Sequence, residues 1–179
     1  MKSLFDIPIY QTDVENISKI QEELKTSVSN QNFTCHPSWG KTLYLSDPSF
    51  IKNVISDDNL INFKTELFKH VELYHIHTPF FGHGYQIQNS WFTLMKEHCY
   101  IHTHNHGRSD ISGVYYYKTC GVDSKLFFES PHQWGDRFII EPKVGKLILF
   151  PSWLQHGVMT HNTNEERISL SFNIIFDRI

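Results

Sequence analysis

The stretch Tyr100 to Gly107 reads YIHTHNHG and sets His102, His104 and His106 at alternate positions. In an extended chain alternate side chains share a face, so two of these three imidazoles can grip one metal ion from one strand end. A third ligand must come from elsewhere. His156, in FPSWLQHGV, is of the right kind, following an apolar KLILF segment and a proline turn. Neutral imidazoles bind iron, zinc, copper or nickel, and three protein ligands with open positions make a catalytic site, not a closed structural one. The plainer alternative is a histidine-rich surface loop that holds no metal. His36, His70, His75, His77, His83, His98, His132 and His161 read as surface, capping or core-edge residues.

Eleven residues beyond His156, Arg167 and Ser169 open the last apolar segment and share one face of it. A guanidinium beside a hydroxyl is a natural clamp for a carboxylate, with a bidentate pair plus one further hydrogen bond. The alternative is a surface arginine paired with Glu165 or Glu166. A buried arginine with no carboxylate beside it is costly, so in a central strand Arg167 would serve an anionic ligand.

The chain of 179 residues carries 16 Lys+Arg against 19 Asp+Glu, a net charge of -3, and 12 histidines, eight of them between His70 and His106. Mixed charge without a basic run argues against a general polyanion-binding role. No apolar stretch reaches the length of a membrane span, and the first residues lack the apolar core of a signal peptide. Three cysteines, Cys35, Cys99 and Cys120, have no paired spacing. That speaks against a disulfide framework or a cysteine-based zinc knuckle and for a reducing compartment, here the cytoplasm of a bacterium or a virus-infected host cell.

Apolar periodicity divides the chain. Val14, Ile17, Ile20, Leu24 and Val28 recur at helical steps, with Asp13 as the expected N-cap, and Leu60 to Tyr74 repeats the pattern in a helix read from Asp58. Asp47-Pro48 looks like another helix start, and residues 42–46 alternate like a short strand. After Pro79 the period becomes that of strands: 84–96, with Trp91, Thr93 and Met95 on one face, then 111–118, 125–129, 137–141, 146–150 and 167–176. One domain over 1–179 is expected, with residues 1–80 mainly a helical flank and 84–177 a jelly-roll-type barrel, mostly β with flanking helices.

The segments HNHGRSDISGVYYYK, KLILFPSWLQHGV and RISLSFN, in this order and spacing, resemble the iron(II)- and 2-oxoglutarate-dependent oxygenases. The likeness is greatest to a small branch found in phages and marine bacteria and related to prolyl hydroxylases. It covers roughly Ser90 to Ile175. The resemblance implies a double-stranded β-helix core, with Fe(II), 2-oxoglutarate and O2 as cofactor and cosubstrates. The protein would then be a dioxygenase that couples decarboxylation of 2-oxoglutarate to hydroxylation of a C–H bond. It places the metal pair at His104 and His106, the latter six residues before Ser112, with His102 in reserve, and the distal ligand at His156. It puts Arg167 on the far carboxylate of 2-oxoglutarate, with Ser169 and Tyr116 assisting.

The sequence departs from the larger superfamily in having His106 where an Asp or Glu is usual, with Asp110 as the nearest carboxylate. That departure keeps open a cupin-like three-histidine metalloenzyme that does not use 2-oxoglutarate. A non-catalytic jelly-roll binding protein is the third reading. Trp91, Tyr115 and Phe150 are expected as barrel walls, and Trp153 as either the lining of a substrate entrance or a plug in the barrel mouth. Substrate selectivity is expected in the loops 80–84 and 130–137, and the substrate itself, a small molecule or a peptide, is not legible. Neither is the oligomeric state. A nucleic-acid substrate is disfavoured by the weak acidity.

Overall fold

Alternate residues of the long strands pack into two different cores, and this sorting builds the molecule. The computed structural model describes residues 7–36, 43–47, 49–78, 84–121, 124–132 and 135–177. Among the described residues, antiparallel strands form two sheets. The larger runs β1 (Tyr10–Asp13), β9 (Lys146–Pro151), β6 (Ile111–Lys118), β11 (Arg167–Phe176), β4 (Tyr85–Met95), β3 (Leu43–Leu45) and β2 (Thr34–Cys35). The smaller runs β5 (Ile101–His104), β10 (His156–Val158), β7 (Leu126–Glu129) and β8 (Arg137–Ile140). The helices are α1 (Ile17–Ser29) and α2 (Ile61–Ile76).

One face of the larger sheet carries Phe92, Leu94, Tyr115, Leu147, Leu149, Ile168, Leu170 and Phe172. These bury against Ile20 and Leu24 of α1 and Phe63, Leu67, Val71 and Tyr74 of α2. The opposite face carries Trp91, Met95, Val114, Tyr116, Ile148 and Phe150, which meet Leu126, Phe128 and Val158 of the smaller sheet. Two antiparallel sheets closed over this second core, with helices outside the larger one, give the double-stranded β-helix expected from the sequence. Trp91, Thr93 and Met95 share the inner face as their alternation predicts.

Differences from the sequence reading lie at element starts. Asp13 does not cap α1: it ends β1, opposite Lys146 in register, and its carboxylate meets Lys143. Asn16, in left-handed backbone at φ 52°, takes the cap position. No helix begins at Asp47; Pro48 lies outside the described residues. The Asp47 carboxylate instead accepts backbone N–H groups from Ser49, Ile51 and Lys52, folding a turn that competes with a helix. The second helix starts at Ile61, where Glu23 of α1 accepts from the N–H groups of Asn62 and Phe63 and so caps it from outside. Tyr115 walls the helical side, not the barrel: its ring meets Phe63 at 5.3 Å and its hydroxyl accepts from Gln21. Among the described residues, no helix is long and apolar enough to cross a membrane.

Candidate metal centre and anion pocket

His104 ends β5, His106 lies two residues beyond it, and His156 opens β10 directly opposite His104 in register. One ligand nitrogen from each of the three falls within 4.8 Å of the others. One backbone hydrogen bond and one glycine hold this arrangement. The amide of His106 donates to the Ser152 carbonyl at 2.8 Å, tying the first loop to the turn that carries His156. Gly157 then lets β5 and β7 close on that turn, since a Cβ there would stand 2.7 Å from the Ile101 carbonyl oxygen and 2.6 Å from the Phe127 ring.

The side chains are also oriented for a metal. Nδ1 of His104 donates to the His102 carbonyl, and Nδ1 of His156 to the Leu154 carbonyl, each at 2.8 Å. A proton fixed on Nδ1 puts the lone pair on Nε2, the usual way a protein presents an imidazole to a metal. Burial pushes His156 down to about 3 and His106 to about 4, and lowers His104 as well. All three are therefore neutral near pH 7, the protonation state a metal requires. The donor set fits one ion of the iron, zinc, copper or nickel group, with coordination positions left for other ligands.

His102 is not part of the trio. Between the paired positions, β5 spends three steps (Ile101 to His104) where β10 spends two (Val158 to His156). The extra residue is a β-bulge, which breaks the two-residue alternation. Ile101 and His104 therefore face the same cavity, while His102 is exposed and packs its ring on Tyr100. Asp110 stays outside too: its carboxylate accepts the backbone N–H of Phe176.

The imidazoles line one end of a cavity between the sheets, and Arg167, Ser169 and Tyr116 line it as well. Arg167 is 2% exposed, yet among the described residues no carboxylate pairs with it. Glu166 instead engages Lys96 and Lys118, and the Glu165 carbonyl meets His161. Among the described residues the guanidinium meets the Met95 thioether and Tyr116, whose ring lies 5.0 Å from its central carbon and whose hydroxyl it holds electrostatically. Among the described residues its Nε is buried without a hydrogen-bond partner, and the buried Tyr116 hydroxyl has no partner beyond the guanidinium itself, so its own proton is unspent. Burial pushes the Tyr116 phenol up, so it is a neutral donor. A buried cation with donors unspent, beside another unspent donor, is a costly arrangement that an anion relieves. Trp91 and Phe150 line this cavity, while Trp153 stands 50% exposed on the turn and does not plug the barrel. Of the loops expected to carry selectivity, residues 80–83 and 133–134 lie outside the described residues.

Residues to which the sequence assigns no site role join the site. Met95 contacts Arg167, while the buried Ser112, Ser152 and Asn173 and the half-buried Asn89 form a hydrogen-bonded polar line. The signal was present in the strand alternation, which puts Asn173 on the Arg167–Ser169 face.

A model described as "Putative 2OG-Fe(II) oxygenase" matches residues 129–173, the segment that holds His156, Arg167 and Ser169. No curated protein matches the chain by sequence. Among solved structures, a Pseudomonas putida prolyl-4-hydroxylase superposes with a TM-score of 0.67 at 16% identity, covering 96% of this chain and 94% of that one. HygX from Streptomyces hygroscopicus, with nickel and 2-oxoglutarate bound, gives 0.70 at 8% identity over 95% and 83% of the two chains. The viral collagen prolyl hydroxylase of Paramecium bursaria Chlorella virus-1, a 2-oxoglutarate complex, gives 0.61 at 11% over 95% and 96%. Such identities establish fold, and the family model adds a sequence signature to it. Both agree with the resemblance read from the motifs: over residues 129–173 the chain is similar in sequence to the iron(II)- and 2-oxoglutarate-dependent oxygenases, and over nearly its whole length it has the fold of these solved structures.

Proposed function

We propose that His104, His106 and His156 hold Fe(II), and that Arg167, Ser169 and Tyr116 bind the far carboxylate of 2-oxoglutarate, in an enzyme that hydroxylates a substrate still to be identified. The observation that carries this reading is the cavity shared by three neutral imidazoles and a buried guanidinium that no carboxylate pairs with among the described residues. Iron would supply the activation of O2, driven by oxidative decarboxylation of 2-oxoglutarate to succinate and carbon dioxide.

The chain's own contribution is geometric and electrostatic. Arg167 is fixed between the Tyr116 ring and the Met95 thioether, so its free donors are set before the anion arrives. In this dry pocket a guanidinium–carboxylate pair is stronger than in water. The backbone carbonyls of His102 and Leu154 hold the protons of their imidazoles away from the metal. The apolar walls Trp91, Phe150 and Val158 exclude water from the reacting end.

The three-histidine set, without a carboxylate, favours one second reading: a cupin-like metalloenzyme acting without 2-oxoglutarate. That reading leaves Arg167 without a purpose. Anaerobic titration of the Fe(II)-loaded protein with 2-oxoglutarate separates the two. A saturable visible charge-transfer absorption, followed by succinate on admission of O2, is expected. Metal binding with neither signal would overturn the proposal in favour of the second reading.

A further inference from the structure

Two spaces meet at Trp91, His104 and His106. The inner one is the cavity that reaches Arg167. The outer one is a cleft lined also by Phe50, Asn89, Asn105 and Asn173. If the inner cavity takes 2-oxoglutarate, this outer cleft is a route by which a substrate reaches the metal. The inference therefore rests on the proposed function.

The outer cleft has a definite chemistry. Among the described residues lining it there is no Lys, Arg, Asp or Glu. Its polar groups are carboxamides, and two of them are fixed. The Ser112 hydroxyl donates to Asn173 Oδ1 at 2.7 Å, so its contact with the Ser152 hydroxyl, 2.8 Å away, must be one that Ser152 donates. Asn173 Nδ2 donates to Asn89 Oδ1 at 2.8 Å, and Asn89 Nδ2 to the Phe50 carbonyl at 3.1 Å. The bonds run one way, from the turn before His156 to the rim of the cleft. They set both amide planes and spend only one N–H of each. Among the described residues the second N–H of Asn89 and that of Asn173 have no partner and remain for a ligand, as does a lone pair on each oxygen. Asn173 lines the cleft and is only 3% exposed. The Trp91 indole, edge-on to Phe50 at 4.9 Å, gives the cleft an apolar wall.

We propose that Asn89 and Asn173 are the substrate-reading pair of this protein, holding an uncharged carboxamide group of the substrate in the outer cleft beside His104 and His106. An amide carbonyl accepts their two N–H groups, an amide N–H meets an Asn oxygen, and the absence of charge matches a neutral group. This pair selects and orients; it takes no part in bond making.

The test uses protein loaded with Zn(II) and 2-oxoglutarate, with the side-chain amide signals of Asn89 and Asn173 followed by two-dimensional nitrogen–proton NMR. The probes are N-acetylalanine N-methylamide, a peptide fragment, and acetamide, a minimal small-molecule amide. Saturable shifts of both side-chain signals in the millimolar range are expected. Tighter binding of the peptide fragment would assign the group to a polypeptide, and equal binding to a small molecule; either supports the pair. Asn89→Leu should weaken the better probe about fivefold, the loss expected for a hydrogen bond to a neutral group. Asn89→Asp, which keeps the acceptor for Asn173, should weaken it as well and serves if the leucine variant fails to fold. Absence of shifts from both probes, or unchanged affinity in the variants, would overturn the inference. Calorimetry of 2-oxoglutarate on the same sample keeps the cases apart. Bound 2-oxoglutarate without amide shifts sinks only the Asn pair, whereas no 2-oxoglutarate binding sinks the proposed function itself.

Discussion

Arg167 and Tyr116 stand side by side on β11 and β6, guanidinium over ring at 5.0 Å, and among the described residues each keeps a buried polar atom with no partner outside this pair. The register explains the pairing. Ser169 is opposite Tyr116, so Arg167, Ser169 and Tyr116 converge on one spot of the inner face. Three donors converge there and no described carboxylate answers them, which is the arrangement of an anion site awaiting its ligand.

Removing the cation should therefore cost cosubstrate and not metal. In Arg167→Ala, 2-oxoglutarate should bind about 30-fold more weakly or worse, from the loss of roughly 2–3 kcal/mol of charge-assisted hydrogen bonding. Iron content should be unchanged. Tyr116→Phe, which deletes only a neutral donor, should lose about fivefold. Calorimetric titration with 2-oxoglutarate measures both, and parental affinity in Arg167→Ala would show that the clamp is elsewhere.

The same imbalance has a stability consequence of opposite sign. A buried guanidinium with a thioether and a ring for company is a burden on the ligand-free fold. Arg167→Leu should make the ligand-free protein more stable by roughly 1–3 kcal/mol in denaturant unfolding. It should also abolish the stabilisation that 2-oxoglutarate gives the parent. A ligand-free variant less stable than the parent would mean that Arg167 earns its place through packing against Met95 and Tyr116.

The buried imidazoles predict how the metal-free protein responds to acid. His156 sits at about 3 and His106 at about 4 in the fold, against about 6.5 in the unfolded chain. Between those values the unfolded chain binds more protons than the folded one, so stability rises with pH and falls as the pH drops below about 6.5. Each such group contributes at most about 1.4 kcal/mol per pH unit in that window. Replacing both with glutamine should flatten the slope of unfolding free energy between pH 6.5 and 4. An unchanged slope would place the acid sensitivity elsewhere, for instance at His70, which burial also holds down.

Much of this site could be read from the residues, and the parts that could not have definite causes. Strand alternation finds the β11 face, because Arg167 and Ser169 sit two apart along β11, although the register with β6 shifts between Ile168 and Ser169. The same rule left His102 in play, since the bulge that turns it outward is a property of how β5 pairs with β10, not of the β5 sequence. β1 was hidden for a similar reason. Tyr10–Asp13 becomes a strand by adding to β9, a partner more than 130 residues away. Tyr115 was placed on the wrong wall because an aromatic strand buried on both faces carries no polar mark to tell inside from outside. Asn89 and Asn173 went unremarked because a carboxamide in a strand looks like an ordinary polar residue until its partners are known.

The tightest packing at the site yields the last expectation. Gly157 follows His156 where β10 passes between β5 and β7, and its missing side chain is what lets the Ile101 carbonyl and the Phe127 ring approach. A methyl group would stand 2.7 Å from the carbonyl, which is backbone and cannot swing aside. Gly157→Ala should thus force β5 away from β10, at a cost of about 1–3 kcal/mol in unfolding free energy, typical of overpacking. Because His104 and His156 face each other across that pair of strands, the displacement should also separate their ligand nitrogens. Metal affinity should therefore fall in Gly157→Ala although no ligand has changed, and a chelator-competition titration reads it directly. Parental metal affinity in a folded Gly157→Ala protein would show that the trio is held by its loops and not by the pairing of β5 with β10.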